Sequence, residues 1–294
     1  MTTTDSAALN QVADALGSQA PVPLAGPGGG GGPGGARGLL GDSAWIGGLV
    51  GFALLLILWE VLALTVFHEA GSGVPTPTSV VSKFWSDWSA GLYGPNIRQT
   101  AKEAVTGYVV ANVLAIVLGV VFVQIPLIEK GLLRVAIASY CLPIIAVGPI
   151  LTFVLNGDAP KSALAALLVF FPTLVGVLVG LRSADPVALD LIRAVGGGRW
   201  AQLFKVRLRA ALPSTFAALQ VAAPSAILGA MIGEYLGAQN NGLGIMMIAA
   251  QAAVESARVW GIALLCTGAG GVAYLLTGVL GRAAAPWAPR RGRA

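Results

Sequence analysis

AVGGGRWAQLFKVRLRAALP, residues 194–213, places Arg199, Lys205, Arg207 and Arg209 between two long apolar runs. The chain around it has 294 residues, of which 56% are hydrophobic and only 11% charged, with a mean hydropathy of +0.79. Soluble domains carry about 25% charged and about 45–50% apolar residues. The composition therefore describes an integral membrane protein, and the basic stretch interrupts its membrane segments. The net charge of +5 does not indicate a nucleic-acid binder, because the basic residues lack interleaved aromatics and a polar surround. Anionic lipid and membrane topology account for them.

Crossing the hydrocarbon core takes about 20 apolar residues at about 1.5 Å each. Six segments meet that length: 45–67, 105–125, 133–156, 162–182, 213–237 and 258–281. The expected fold is all-α, with six transmembrane helices. Pro143, Pro149, Pro172 and Pro224 fall inside the third to fifth segments, where proline frees a carbonyl and bends a helix. With the N-terminus inside, thirteen Lys and Arg face the cytoplasm: Arg37, Lys130, Arg134, Arg182, Arg193, Arg199, Lys205, Arg207, Arg209, Arg282, Arg290, Arg291 and Arg293. Five, Lys83, Arg98, Lys102, Lys161 and Arg258, remain outside. The positive-inside rule then sets both termini, and residues 194–213, in the cytoplasm of a multi-pass cell-membrane protein.

Three domains are expected: a Gly-rich cytoplasmic tail over 1–40, a transmembrane domain over 41–285 and a basic tail over 286–294. The run GPGGGGGPGGARG, residues 26–38, cannot hold a helix or strand against its backbone entropy. It precedes no Gly-Lys-Ser/Thr, so it is a linker and not a phosphate loop. Cys141 and Cys266 lie in apolar runs and read as small core residues; His68 has no second ligand at metal spacing and reads as an interfacial polar residue. Between the first two spans, Val81, Phe84, Trp85, Trp88 and Leu92 recur at helical spacing. Their helix can lie on the outer interface or pack on the bundle.

About thirty residues join the fourth and fifth spans, too many for a bare turn. Val187, Leu189, Leu191, Ile192 and Val195 mark one short helix, Trp200, Leu203, Phe204, Val206 and Leu208 a second, and Gly196, Gly197 and Gly198 the bend between them. Such an arrangement points aromatic and basic side chains into the cytoplasm, as a dock for another protein or as a topology-setting loop whose apolar residues return to lipid.

The loop resembles the coupling motif of binding-protein-dependent ABC importer permeases, in which an acidic residue and two alanines precede a glycine, then isoleucine and Leu-Pro. With Gly196 as the motif glycine, Asp190 takes the acidic place, Val206 the isoleucine place and Leu208 the leucine place; Leu191 and Ile192 replace the alanines and Arg209 the proline. PTPTSVV (75–81), LPIIAVGPILTFVLNGDAPKSALAALLVFFPTLVGVLVGL (142–181) and IGEYLGAQNNGLGIMMI (232–248) resemble further family segments in the same order, closest to the branch for nitrate, sulfonates, taurine, bicarbonate or thiamine-precursor pyrimidines.

The resemblance implies a type I importer permease fold with a cytoplasmic coupling helix, forming a pathway for a small solute. It implies three kinds of partner: cytoplasmic ABC ATPase subunits, a second permease copy or paralogue, and an extracytoplasmic solute-binding protein. ATP and magnesium would sit on the ATPase, with no cofactor, metal or catalytic residue in this chain. Asp190, Arg193, Gly196, Gly197, Trp200, Phe204 and Val206 are the expected ATPase-docking residues. Glu234, beside Tyr235, is a gate or structural pin, and Pro143, Pro149, Ser225 and Met231 are pathway candidates. Glu60, inside the first span, reads as a hydrogen-bonded packing residue. A membrane-embedded enzyme would need a nucleophile with its base in the spans. An ion-coupled carrier, the remaining alternative, usually shows an internal repeat, and none is evident.

Overall fold

The computed structural model describes residues 44–67, 73–140, 142–237 and 241–287. His68, Cys141 and most of the two expected tails lie outside the described residues. The chain divides into two units, one ending at Leu54 and one beginning at Leu55. Helix α1 (Ala44–Thr65) contains that boundary, and before it Leu49, Val50, Phe52 and Leu54 are exposed. All packing below lies within the second unit.

There the chain forms α2 (Pro77–Ser89), α3 (Tyr93–Gln124), α4 (Pro126–Tyr140), α5 (Ile144–Val154), α6 (Ala159–Arg182), α7 (Pro186–Ala194), α8 (Arg199–Gln202), a π-helical turn (Leu203–Arg207), α9 (Leu208–Gly237), α10 (Leu243–Ala252) and α11 (Ser256–Ala284). Helix starts follow local chemistry. Thr76 and Asp185 precede prolines and cap α2 and α7, accepting from the backbone N–H of Ser79 and Val187 at 3.2 and 2.9 Å. Among the described residues five stretches, Gly47–Thr65, Tyr93–Gln124, Ala159–Arg182, Arg199–Gly237 and Ser256–Ala284, are long and apolar enough to cross a membrane.

The core is the three-helix contact of α3, α6 and α9, and it is built from small residues: Ala104, Ala111, Ala165, Ala222, Ala226 and Ala230, with Val169. Between lipid-facing helices the hydrophobic effect offers little, so close backbone approach and dispersion must supply the attraction. Glycines make the approach close enough. A Cβ added at Gly229 would stand 2.5 Å from Ala165 Cα, and one at Gly233 would stand 2.7 Å from Lys161 Cα. Helix α4 adds to α3 and α6 through Phe122, Ala136, Leu174 and Leu178. Helix α11 lies along α9, where Gly278 faces Gln220 and Gly281 faces Phe216.

Three expectations need correction. The third span, 133–156, is two helices, α4 and α5, and at about 22 and 16 Å neither crosses a bilayer core of about 30 Å alone. Pro143, at φ −66° and ψ 110°, is the N-cap of α5; it has no N–H to give and biases Leu142 away from helical dihedrals. The second helix begins at Tyr93, well before 105. The second half of the 194–213 stretch is no separate helix, because from Arg199 the chain runs through the π turn into α9. Beyond these, α10 adds a short apolar helix after the fifth span.

Helix α2 packs on the bundle through Val80, Phe84 and Asp87 while exposing Val81 and Trp85. Asp87 accepts two hydrogen bonds from Arg258 of α11, at 2.7 and 2.9 Å, and Lys83 meets Glu255 at 3.2 Å. Hydrogen bonding from Arg258 holds the Asp87 carboxyl below the usual carboxylate range, against burial that pushes it up; Lys83 adds to the lowering. Glu60, read as a hydrogen-bonded packing residue, accepts from the Thr78 hydroxyl at 2.8 Å and from its N–H at 3.3 Å.

Two predictions follow from this packing. Gly229→Ala forces apart α9 and α6 and should cost about 1–3 kcal/mol, whereas Gly271→Ala, whose Cβ meets nothing within 4 Å, should be neutral or stabilising by up to about 1 kcal/mol; thermal unfolding in detergent separates them. Because the folded Asp87 value is depressed, its contribution is present above the unfolded value of about 3.9 and lost as pH falls through the folded one. Asp87→Asn should therefore cost about 3 kcal/mol at neutral pH, and the gap in unfolding temperature from the parent should close below about pH 4.

Candidate functional site

The expected docking residues cluster at one end of the bundle. Helix α7 closes in a Schellman motif: Gly197 N–H donates to Ile192 O at 2.8 Å and Gly196 N–H to Arg193 O at 2.9 Å. Gly196 has φ +80°, and a Cβ on Gly197 would lie 2.5 Å from Ile192 Cγ2. Leu189 and Leu203 are buried, Leu203 among Val177, Leu181 and Ala211. Arg199 and Gln124 exchange side chain to backbone hydrogen bonds at 3.4 and 3.5 Å, and Arg207 donates to Leu181 O, at the end of α6, at 3.1 Å. Arg182 pairs with Glu129 of α4. The loop is thus tied to α3, α6 and α9, while Arg182 and Glu129 join α6 to α4.

What the loop leaves outward is apolar. Val187, Leu191 and Val195, four residues apart, are 75, 64 and 74% exposed, and Trp200 and Phe204 stack at 6.0 Å while exposing 62 and 63%. Asp190 and Arg193 are also exposed and pair with each other at 2.9 Å. Val206 is half-buried in the π turn.

At the opposite end of α9, Glu234 is fully buried. Its Oε1 accepts from Thr100 Oγ1 and its Oε2 from Gly244 N–H, both at 2.6 Å. Leu243 N–H donates to Thr100 Oγ1 at 2.9 Å and Gly242 N–H to Asn96 Oδ1 at 2.8 Å. Three successive backbone donors at the start of α10 are therefore satisfied by side chains of α3 and α9, because the α10 N-cap, Gly242, has no side chain of its own. A Cβ there would strike the Glu234 carboxyl.

The other pathway candidates are not gathered around one cavity. Met231 packs with Tyr93, Leu243 and Ile262; Tyr235 donates its hydroxyl to Gln251 at 3.0 Å; Ser225 is half-buried; Pro143 and Pro149 are exposed on α5. A pocket of about 340 Å³ opens instead between α3 and α6, beside Lys102, Glu103, Thr106, Asp158 and Ser162.

The sequence reading passed over most of this polar end. Lys161 meets Glu103 at 3.1 Å, with 3 and 1% of their side chains exposed. Gln99 also donates to Glu103, at 2.6 Å, and Lys102 pairs with Asp158 at 3.1 Å. The Asp158 carboxyl is held low by Gln99 donation against burial, with help from Lys102 and Lys161. Farther along, Thr173 donates to Asn112 at 2.7 Å, joining α6 to α3. A signal existed: Asn96, Thr100, Glu103, Gly107 and Ala111 recur three or four residues apart, which is one helix face, but their polarity reads as an outer loop.

The Schellman geometry makes a prediction. Gly196→Ala and Gly197→Ala should loosen the loop and raise trypsin cleavage at Arg193 and Arg199 severalfold, each costing about 1 kcal/mol locally. Gly198→Ala, with nothing within 4 Å, should leave the cleavage rate unchanged.

Residues 111–290 match the family of binding-protein-dependent transport system inner membrane components. The chain is similar to the formylaminopyrimidine transport permease protein ThiX of Halalkalibacterium halodurans, at 29% identity over 194 residues, covering 66% of this chain and 76% of the relative. It is similar to the riboflavin transport system permease protein RibX of Chloroflexus aurantiacus, at 28% over 239 residues, 80% of this chain and 87% of the relative. A putative aliphatic sulfonates transport permease protein, SsuC of Bacillus subtilis, matches at 24% over 217 residues, 74% of this chain and 78% of the relative. Such a component works with an ATPase and a binding protein. With its match covering most of the bundle, the chain belongs to the binding-protein-dependent transport system inner membrane components, as a non-catalytic, multi-pass permease subunit of an ABC transporter for small solutes.

Proposed function

We propose that α7, α8 and the π turn after it form the dock for the cytoplasmic ATPase. The observation that carries this reading is the outward apolar surface of Val187, Leu191, Val195, Trp200 and Phe204 on a loop of basic character. Large aromatic side chains of this kind dominate interface energetics. Asp190 and Arg193 orient the helix, Gly196 and Gly197 shape its end, and Val206 sits where the dock enters α9. The ATPase holds ATP and magnesium; this chain holds neither. Closure of the ATPases then moves α9 through its rigid link to the loop, by contacts that differ between the transporter's states.

In this reading α4 and α5 together make the third of six crossings in a type I importer permease fold. The Gly-rich tail over 1–40 and the basic tail over 286–294 flank the transmembrane domain over 41–285, with both termini in the cytoplasm, as the Lys and Arg distribution favours. A second copy or a paralogue completes the pathway, and an extracytoplasmic solute-binding protein delivers the ligand. Glu234 is a structural pin for α10, and Tyr235, Met231, Ser225, Pro143 and Pro149 are candidates for the neighbourhood of the gate and pathway. The names of the relatives make a pyrimidine, a flavin or a sulfonate the solutes to try first.

Affinity purification of the tagged chain from its own host in mild detergent, with mass spectrometry, tests the dock. An ABC ATPase should co-purify, and Trp200→Ala with Phe204→Ala should reduce it more than tenfold, since two lost anchors cost at least about 2 kcal/mol. Trp85→Ala, on α2, should change nothing. An ATPase retained by the double variant would place the dock elsewhere.

A further inference from the structure

Helix α2 has 13 residues, about 20 Å of helix, too short to cross a bilayer core of about 30 Å. Its partners are the end turns of helices that are long enough. The Thr78 hydroxyl donates to Glu60, in the last two turns of α1. Lys83 and Asp87 pair with Glu255 and Arg258 at the start of α11. Phe84 and Trp88 lie against Tyr93, the first residue of α3, with ring centroids 5.0 and 6.1 Å away. The helix therefore sits where the spans end, at the level at which hydrocarbon gives way to headgroups.

At 3.6 residues per turn its side chains fall on three faces. Val80, Phe84 and Asp87 turn to the bundle. Val81, Trp85 and Trp88, on the adjoining face, are 68, 71 and 50% exposed. Ser82, Ser86 and Ser89, on the side turned away from the bundle, are exposed as well. The two charged residues of α2, Lys83 and Asp87, are both engaged by α11, so its apolar and hydroxyl faces carry no charge of their own.

We propose that α2 anchors the chain to the bilayer surface: Val81, Trp85 and Trp88 enter the headgroup region at this end of the bundle, while the serines stay in water. This leaflet is the outer one in the orientation that the Lys and Arg distribution favours. Lipid fits the face better than a soluble protein does. The indole has an apolar body and an N–H edge, which suits the boundary between hydrocarbon and water. The face begins beside α1, where Val61, Leu62 and Leu64 are also exposed, so it continues the surface that the spans turn to lipid. A protein arriving from water would meet the serines instead. Because the charges of α2 are spent on α11, the anchor takes neutral and anionic bilayers alike, and through Asp87 and Arg258 it fixes the depth of the first turn of α11. None of this depends on what docks at the loop.

Spin labelling of the full chain in nanodiscs of palmitoyl-oleoyl-phosphatidylcholine tests it. On a background of Cys141→Ala and Cys266→Ala, the variants Val81→Cys and Ser82→Cys place labels on the two exposed faces and leave both tryptophans intact. Relative to the label at position 82, the label at 81 should collide severalfold more often with oxygen than with a water-soluble nickel chelate. Adding Trp85→Ser and Trp88→Ser should shift position 81 towards the value at 82, and replacing part of the lipid with phosphatidylglycerol should shift neither. Equal access of the nickel chelate to both positions puts the face in water and overturns the proposal. Shielding of position 81 from oxygen and nickel alike overturns it too, because a protein then covers the face. A second measurement needs no cysteine variant: lipid brominated near the headgroup should quench the tryptophan fluorescence of the wild-type chain more than that of Trp85→Phe with Trp88→Phe, and equal quenching overturns the anchor.

Discussion

The contact of α3 with α6 and α9 is the constraint on which the rest depends. Hydrocarbon surrounds helices of this kind as comfortably as other helices do, so association needs something lipid cannot give: close backbone approach, and polar groups that lipid cannot satisfy. The chain uses both. Ala104, Ala111, Ala165, Ala222, Ala226 and Ala230 line the contact, and glycines at 229 and 233 bring α9 against the α6 backbone. Asn112 with Thr173, and Tyr108 donating to Leu219 O at 3.0 Å, stitch the same helices along their length.

That contact makes α9 the element joining the two ends of the molecule. At its beginning, through the π turn, it carries Trp200 and Phe204; near its end it carries Glu234. The π turn, closed by Leu208 N–H donating to Leu203 O, absorbs an extra residue without a break. A displacement imposed on the loop therefore reaches the bundle through a continuous helix. In a permease whose energy comes from a partner ATPase, mechanical continuity of this kind is required, whichever surface the partner occupies.

At the other end, polar groups hold what the apolar contact alone would not. Helix α10 has ten residues, too few to be stable by itself in water, and its first donors would be orphaned without Asn96, Thr100 and Glu234. Gly242 and Gly244 serve close approach, letting the start of α10 come down on the Glu234 carboxyl. Charge is buried here only where it is hydrogen-bonded or paired, which is what a low-dielectric interior demands.

Much of this was legible in the chain itself. Composition and the length of apolar runs determined a helical membrane protein, because the thickness of a bilayer and the need to satisfy backbone groups leave few alternatives. The spacing of acidic residue, glycine and apolar positions around Gly196, a local property of one short segment, pointed to the family that residues 111–290 match. Tertiary structure alone decided the rest. Polar residues at 93–104 read as loop because no sequence window shows that Asn96, Thr100 and Glu103 find partners on α6, α9 and the start of α10. Pro143 read as a bend within one long helix, and the structure makes it instead the N-cap of a separate one. Whether Glu234 faces a pathway or lies sealed among donors depends on chain segments far away in sequence, and local periodicity carries no record of them.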